Sequence, residues 1–489
     1  MPPKSGRAAP NCLAVDNPAS LGDLAEIFLA RNIASAVGPD GQVLLVRPNS
    51  ALVEVPSDPK RLDAVVSFVG RIDKEAATRL REAAAANSAT FVRVAIRPPR
   101  SAKERGESRW SIAAVNEFLS AASDHRDADG KPDPIRAEYN SVVIGAQTMA
   151  GSPLGLMASW AGEMAFPGRI TKTKDGRTVL LTLAEPAAEP QFLREPLNIH
   201  DGRPGVLVLD TGLRTVVKGR GKSATRAAAH PELQRCFLHD DWKSAPTPGV
   251  VDDEDEEFDP TVTPAKPPPS NVLDFEAGHG TFIAGIVRQI CPDAEIFSAG
   301  VLSSFGDGDV ADVIGNFKRV KGILDSLGKR IDIVVMSFGA NLIDDEPGLF
   351  GEELSRVLGD AVGVAAAGNQ STCRPYFPAA LPDVIGVGGL AADGKAWFTN
   401  FGGWVDACAP AVDVVSTFFT NFQETLDGKK ARKYEGWARW SGTSFSAPKV
   451  AGLIAQEMYL HRGTAGDAWK RMVSHKHFRY PDLGIVFNV

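Results

Sequence analysis

Apolar residues in the C-terminal part of this chain come in short unbroken runs. Gly205, Val206, Leu207, Val208 and Leu209 follow one another without a polar break, between Arg203-Pro204 and Thr211-Gly212. A run this short and uniform predicts a strand buried on both faces of a parallel sheet. Asp210 then stands at its carboxyl end, where open α/β sheets hold their ligands. Residues 331–336 form a second β-rich apolar run, ahead of Ser337, Phe338, Gly339 and Ala340. Two longer stretches predict buried helices. Residues 281–287 follow His279, which would sit in the opening turn. Residues 447–455 follow Ser444, and Pro448 fits that helix if it lies in the first turn.

The first 195 residues carry a different pattern and predict a smaller mixed α/β region. Leu21, Leu24, Ile27, Phe28 and Ala30 have helical spacing, predicting an amphipathic helix over 21–35. Residues 42–46 and 51–55 read as strands joined by a turn at Arg47, Pro48, Asn49 and Ser50. A helix is expected over 74–87, a strand over 89–96, a helix over 111–122 and a short strand over 141–144. Residues 100–110 and 123–136 read as charged linkers. No internal repeat is evident.

Three segments carry candidate chemistry: Asp210-Thr211-Gly212, Gly278-His279-Gly280-Thr281 and Gly442-Thr443-Ser444-Phe445-Ser446-Ala447-Pro448. Singly, these are ordinary turn and cap residues. Together they place a carboxylate, an imidazole and a hydroxyl in the order Asp, His, Ser. A serine hydroxyl needs an adjacent base, and the base needs an orienting carboxylate, before it can act as a nucleophile. A helix N-terminus also favours an oxyanion formed beside Ser444.

These segments resemble those of the subtilisin-like serine proteases (subtilases), over roughly residues 196–489. The resemblance implies that Ser444 attacks the scissile carbonyl, His279 moves the proton and Asp210 orients His279. Ala367-Gly368-Asn369 resembles the family's oxyanion turn, so Asn369 would donate from its amide beside the Ser444 N–H. Ser337, Phe338 and Gly339 resemble the edge that pairs with the substrate backbone. Phe338 and Ala340 depart from the Leu-Gly-Gly often found there. Ala366 and Gly368 would line the primary pocket. The implied fold is α/β, a mostly parallel sheet flanked by helices, preceded by a prodomain or recognition region over 1–195.

The length of 489 residues suggests more than one domain. A net charge of −7 gives no global signature for nucleic acid. No apolar run nears the ~18 residues of a membrane span. The N-terminus lacks the ~7–15 apolar residues of a signal peptide, so a cytoplasmic location is expected. The five cysteines are scattered and predict neither a disulfide framework nor a metal set. Asp210 and His279 lie 69 positions apart, and the excess predicts a charged, Pro-rich insertion at 214–271. Its acidic run Asp252 to Glu257 could supply calcium ligands, and His239-Asp240-Asp241 reads as a surface ion pair. No matched metal or cofactor site is expected. The expected function is a serine endopeptidase gated by its N-terminal region, acting on protein or peptide substrates. Self-cleavage, if it occurs, is expected within 186–203. The alternatives are a dedicated maturation peptidase or transpeptidase, and a latent sensor switched on by a partner protein.

Overall fold

The computed structural model describes residues 32–37, 43–97, 112–127, 129–145, 169–172, 178–182, 184–191, 193–218, 225–228, 230–234, 273, 275–426, 429–474 and 477–489. The acidic run, the Pro-rich stretch, His239-Asp240-Asp241 and the linker at 100–110 lie outside these residues. Of the insertion, the strands Thr215–Lys218 and Thr225–Ala228 are described, paired antiparallel.

The N-terminal region is built from β1 (Ala34–Val37), β2 (Val43–Glu54), α1 (Pro59–Gly70), α2 (Lys74–Ala86), β3 (Phe91–Ala95), α3 (Ala113–Ser123) and β4 (Ala137–Gly145). Asp58 and Asp73 cap the first two helices by accepting from Arg61 N and Ala76 N, as short acceptors at helix starts do. Asn87 closes α2 in the left-handed conformation. Val65, Val69, Leu80, Val94, Val115 and Phe118 meet in one core.

Two sequence expectations change here. Of the helix expected over 21–35, residues 21–31 lie outside the described set, while Ala34 and Ser35 belong to β1. The two strands and turn expected over 42–55 are one long strand, β2. Its register against β4 shifts between Val46 and Ala51. Pro48 stands in that interval, and proline has no N–H to give a ladder. The chain therefore answers Pro48 with an irregularity instead of a reversal.

The C-terminal body holds a nine-stranded, largely parallel sheet. Its strands include β5 (Gly205–Asp210), β6 (Glu295–Gly300), β8 (Ile333–Met336), β10 (Val362–Ala366), β11 (Val384–Ala391), β12 (Ala407–Pro410) and β15 (Gly484–Val486), in the order β6-β5-β8-β10-β11-β12-β15. Every residue of β5 is buried, and the reason is visible in its alternation. Val206 and Val208 pack with the helices α4 (His279–Ile290) and α7 (Thr443–His461). Leu207 and Leu209 pack on the other face with α5 (Val310–Ser326) and α6 (Gly348–Leu358). A strand covered on both faces has no use for polar alternation, which explains the unbroken apolar run.

Pro448 lies deeper than the first turn, inside α7. It cannot donate to the carbonyl of Ser444, four residues back. Ser337 supplies the missing donor, its hydroxyl reaching the Ser444 carbonyl at 2.9 Å.

Ala184, Glu185, Pro186, Leu197 and Asn198 pack on this body. Ala184 is buried in its core, its carbonyl accepts from Tyr434 Oη at 2.8 Å, and Glu185–Pro186 pairs with the strand β14 (Trp437–Trp440). The Asp293 carboxylate accepts from Leu197 N and Asn198 N. Cys291 and Cys408 are buried free thiols, whereas Cys373 is disulfide-bonded.

Candidate active site

Asp210 ends β5 with its side chain fully buried. Its Oδ1 accepts from Thr211 N at 2.8 Å and from His279 Nδ1 at 2.8 Å. With an aspartate as the acceptor, Nδ1 carries the proton and Nε2 is left as the basic nitrogen.

The β5 end and the α4 start are clamped together. Gly280 N donates to Thr211 Oγ1 at 3.0 Å. A Cβ on Gly280 would lie 2.0 Å from the Gly212 carbonyl oxygen, so no larger residue fits. Strand β13 (Val414–Thr417) holds the next turn: Ser416 Oγ donates to Phe282 O at 2.7 Å and Thr417 Oγ1 to Thr281 O at 2.8 Å. Gly280→Ala should therefore destabilise the chain by about 3 kcal/mol, as overpacking does. Denaturant midpoints of the two proteins check this, and an unchanged midpoint contradicts it.

The His279 ring is fully buried. Trp440 lies edge-on with ring centroids 5.5 Å apart, and Phe445 packs at 5.4 Å. A second carboxylate, Glu276 Oε2, lies 3.6 Å from Nδ1. Burial opposes a charge on His279, but Asp210 and then Glu276 outweigh it and raise its pKa above the ordinary value.

Ser444 sits in the first turn of α7, and Phe445 beside it brings that turn onto His279. Its hydroxyl donates to Ser337 O at 3.4 Å. Nε2 of His279 makes no hydrogen bond, so the imidazole and the serine hydroxyl are not joined.

Asn369 follows β10. Its Oδ1 accepts from Thr443 N at 3.0 Å and from Thr443 Oγ1 at 2.9 Å. Gly368, at φ +97°, donates its N–H to the same hydroxyl at 3.1 Å. The carbonyl arm of the Asn369 amide is thus fixed on the residue before Ser444. Asn400 braces this turn: its Oδ1 accepts from Gln370 N and its Nδ2 donates to Ala367 O, both at 2.9 Å. Ala366 is buried in the core beside Val387.

Ser337, Phe338 and Gly339 are buried. The strand β9 (Phe338–Gly339) pairs antiparallel with β4 of the N-terminal region, Phe338 opposite Gly145 and Gly339 opposite Ile144. On its other edge β4 meets β7 (Asp307–Asp309), with Gly308 opposite Val143. Tyr376 Oη donates to Ile144 O at 3.4 Å. The edge that the sequence assigned to substrate is filled by the chain's own strand. Val143 is fully buried in a core shared with Leu207, Leu209 and Leu302.

Charged contacts surround that strand. Arg47 reaches Asp307 and Asp309, both at 3.2 Å, and Arg93 reaches Asp312 at 2.8 Å. Thr90 N donates to Glu353 Oε2 at 2.6 Å. Burial pushes the Glu353 carboxyl up, but Arg356, Lys318 and Thr90 prevail and hold it at about 2.

Sequence reasoning missed Glu276, Thr443, Asn400 and the occupant strand. Thr443 stood inside a segment already singled out. Glu276 and Asn400 were given no role, and of β4 only a short strand over 141–144 was expected.

A parallel sheet covered on both faces, with a buried Asp–His pair at a strand's carboxyl end, defines an α/β protein with a hydrolase-like site. The family model described as "Subtilase family" matches residues 203–477, and the chain belongs to that family. It is 33% identical over 191 residues to "Subtilisin-like protease 3" of Pseudogymnoascus destructans, covering 37% of this chain and 43% of that protein. It is 28% identical over 232 residues to "Intracellular serine protease" of Paenibacillus polymyxa, covering 44% of this chain and 61% of that one. A cold adapted subtilisin-like serine proteinase of known crystal structure aligns at 21% identity and TM-score 0.37, over 58% of this chain and 88% of that chain. The chain thus spans about half the length of the curated relatives it matches. Among the described residues, no helix is long and apolar enough to cross a membrane.

Proposed function

We propose that the chain is a serine endopeptidase held latent by its own N-terminal region. The observation that carries this reading is the buried pair of His279 Nδ1 and Asp210 Oδ1 at 2.8 Å, beside a serine at a helix N-terminus. In the working enzyme the Ser444 hydroxyl leaves Ser337 O and turns to His279 Nε2. His279 takes the proton as Oγ attacks a peptide carbonyl. Asn369 Nδ2 and Ser444 N–H receive the oxyanion. His279 then protonates the leaving amine, and water resolves the acyl-enzyme.

Latency is supported by β4 on the substrate edge and by the absent Ser–His hydrogen bond. A scissile bond soon after Gly145 fits this arrangement better than one within 186–203, which is tied to the body by Pro186, Leu197 and Asn198. In this reading residues 1–145 restrain the body, and the products are short peptides from protein substrates. An intracellular location draws on the name of the Paenibacillus relative. The disulfide at Cys373 weighs against a reducing compartment, and cell fractionation decides between them.

The test is labelling of the full chain by a fluorophosphonate probe. Unprocessed wild type should label slowly. Val143→Asp puts a carboxylate into the shared core and should loosen β4, raising the labelling rate on the order of 100-fold. Equal rates in the two proteins would show that β4 does not restrain Ser444.

A further inference from the structure

We propose that Glu276 is a positioning residue for the base, so that two buried carboxylates, and not Asp210 alone, act on the imidazole of His279. The proposal rests on the reading of His279 as the proton carrier and adds to it a group outside the Asp–His–Ser set.

The turn leading into α4 is built to deliver this carboxylate. Glu276 N donates to Ser304 O at 2.8 Å, and Glu276 O accepts from His279 N at 3.0 Å. The side chain is fully buried, and Oε2 lies 3.6 Å from Nδ1. That distance is beyond a good hydrogen bond, so its action is coulombic, in surroundings where charges are weakly screened. Gly306 gives it room. Gly306 has φ +95°, and a Cβ there would lie 2.5 Å from the carboxyl carbon and 2.9 Å from Oε2 of Glu276.

Among the described residues, the titratable groups facing His279 are Asp210 from β5 and Glu276 from the turn. Trp440 from β14 and Phe445 from α7 face it with uncharged rings. Tyr376 also feels Glu276: burial first, and then this carboxylate, pushes its hydroxyl up.

Two consequences follow for the reaction. An imidazolium forms as Ser444 gives up its proton, and a second carboxylate stabilises it. The same carboxylate keeps His279 protonated to higher pH in the resting state, when it must be neutral to serve as base. Glu276 therefore trades activity at low pH for a better proton acceptor at high pH.

The experiment is a histidine NMR titration of the full chain carrying Ser444→Ala, with and without Glu276→Gln. This readout needs no turnover, so it stands apart from whether the chain is a peptidase. Glu276→Gln should lower the His279 midpoint by about one pH unit, within the range known for a nearby opposite charge. An unchanged midpoint overturns the proposal. If Glu276→Gln fails to fold, Glu276→Asp pulls the carboxylate back by one methylene, and an intermediate midpoint is required. In a parallel arm with intact Ser444, the acid limb of probe labelling should move down with the midpoint. A shifted midpoint with no labelling at any pH would sink the peptidase reading and leave the role of Glu276 standing.

Discussion

Ser444→Ala should leave the purified chain whole and unlabelled, with peptide hydrolysis reduced by about 10⁶-fold, the loss typical when the nucleophile of such a site is removed. Its hydroxyl is buried, donates to Ser337 O at 3.4 Å and makes no bond to His279 Nε2. The deletion therefore costs little packing, and stability should change by less than about 1 kcal/mol. Intact mass gives the decisive comparison. Wild type should yield a fragment beginning within 146–168, and the variant none. A variant that is still cut is being cut by something else. A variant that still hydrolyses peptides would remove Ser444 from the chemistry.

The second large effect belongs to Asn369. Asn369→Ala should lower kcat by about 10²- to 10³-fold, the usual loss of one oxyanion donor. It should also cost stability, because Asn369 Oδ1 is the acceptor for both Thr443 N and Thr443 Oγ1. Leaving a buried donor unmet costs about 1–3 kcal/mol. Asn369→Asp separates the two roles. It retains the oxygen that Thr443 needs and removes the NH₂ arm. The expected result is a loss of kcat at least as large as for alanine, with a melting temperature nearer wild type and KM little changed. Equal kcat in Asn369→Asp and wild type would show that the amide is purely structural.

The site's skeleton was legible because its chemistry is local. Asp210 ends an apolar run, His279 opens another and Ser444 opens a third, so each residue could be placed on an element by its neighbours alone. The N-terminal region was harder because its decisive events depend on pairing. Pro48 looks like a turn residue until β4 is seen beside it. Ser141 to Ile144 looks like an ordinary short strand until Gly339 and Gly308 are found on its two edges. Pro448 fitted its helix only if it lay in the first turn, since nothing in the sequence says that the Ser337 hydroxyl, 107 positions before Ser444, will serve the carbonyl left without a helical partner. Glu276 carries no sequence signal at all. Its burial comes from the closure of its turn on Ser304 and from the space left at Gly306.

The six-stranded antiparallel sheet that contains β4 runs across both parts of the chain. If the N-terminal region departs, as the latent-enzyme reading requires, β7 and β9 become two bare backbone edges facing each other across the place of β4. Such a slot grips any extended chain through main-chain groups, whatever its side chains. The exposed body would then have a colloidal problem as well as a catalytic opportunity: its own unfolded copies are among the strands that fit. Turnover would keep that slot clear, whereas a catalytically dead body freed of its first 145 residues would be expected to clump.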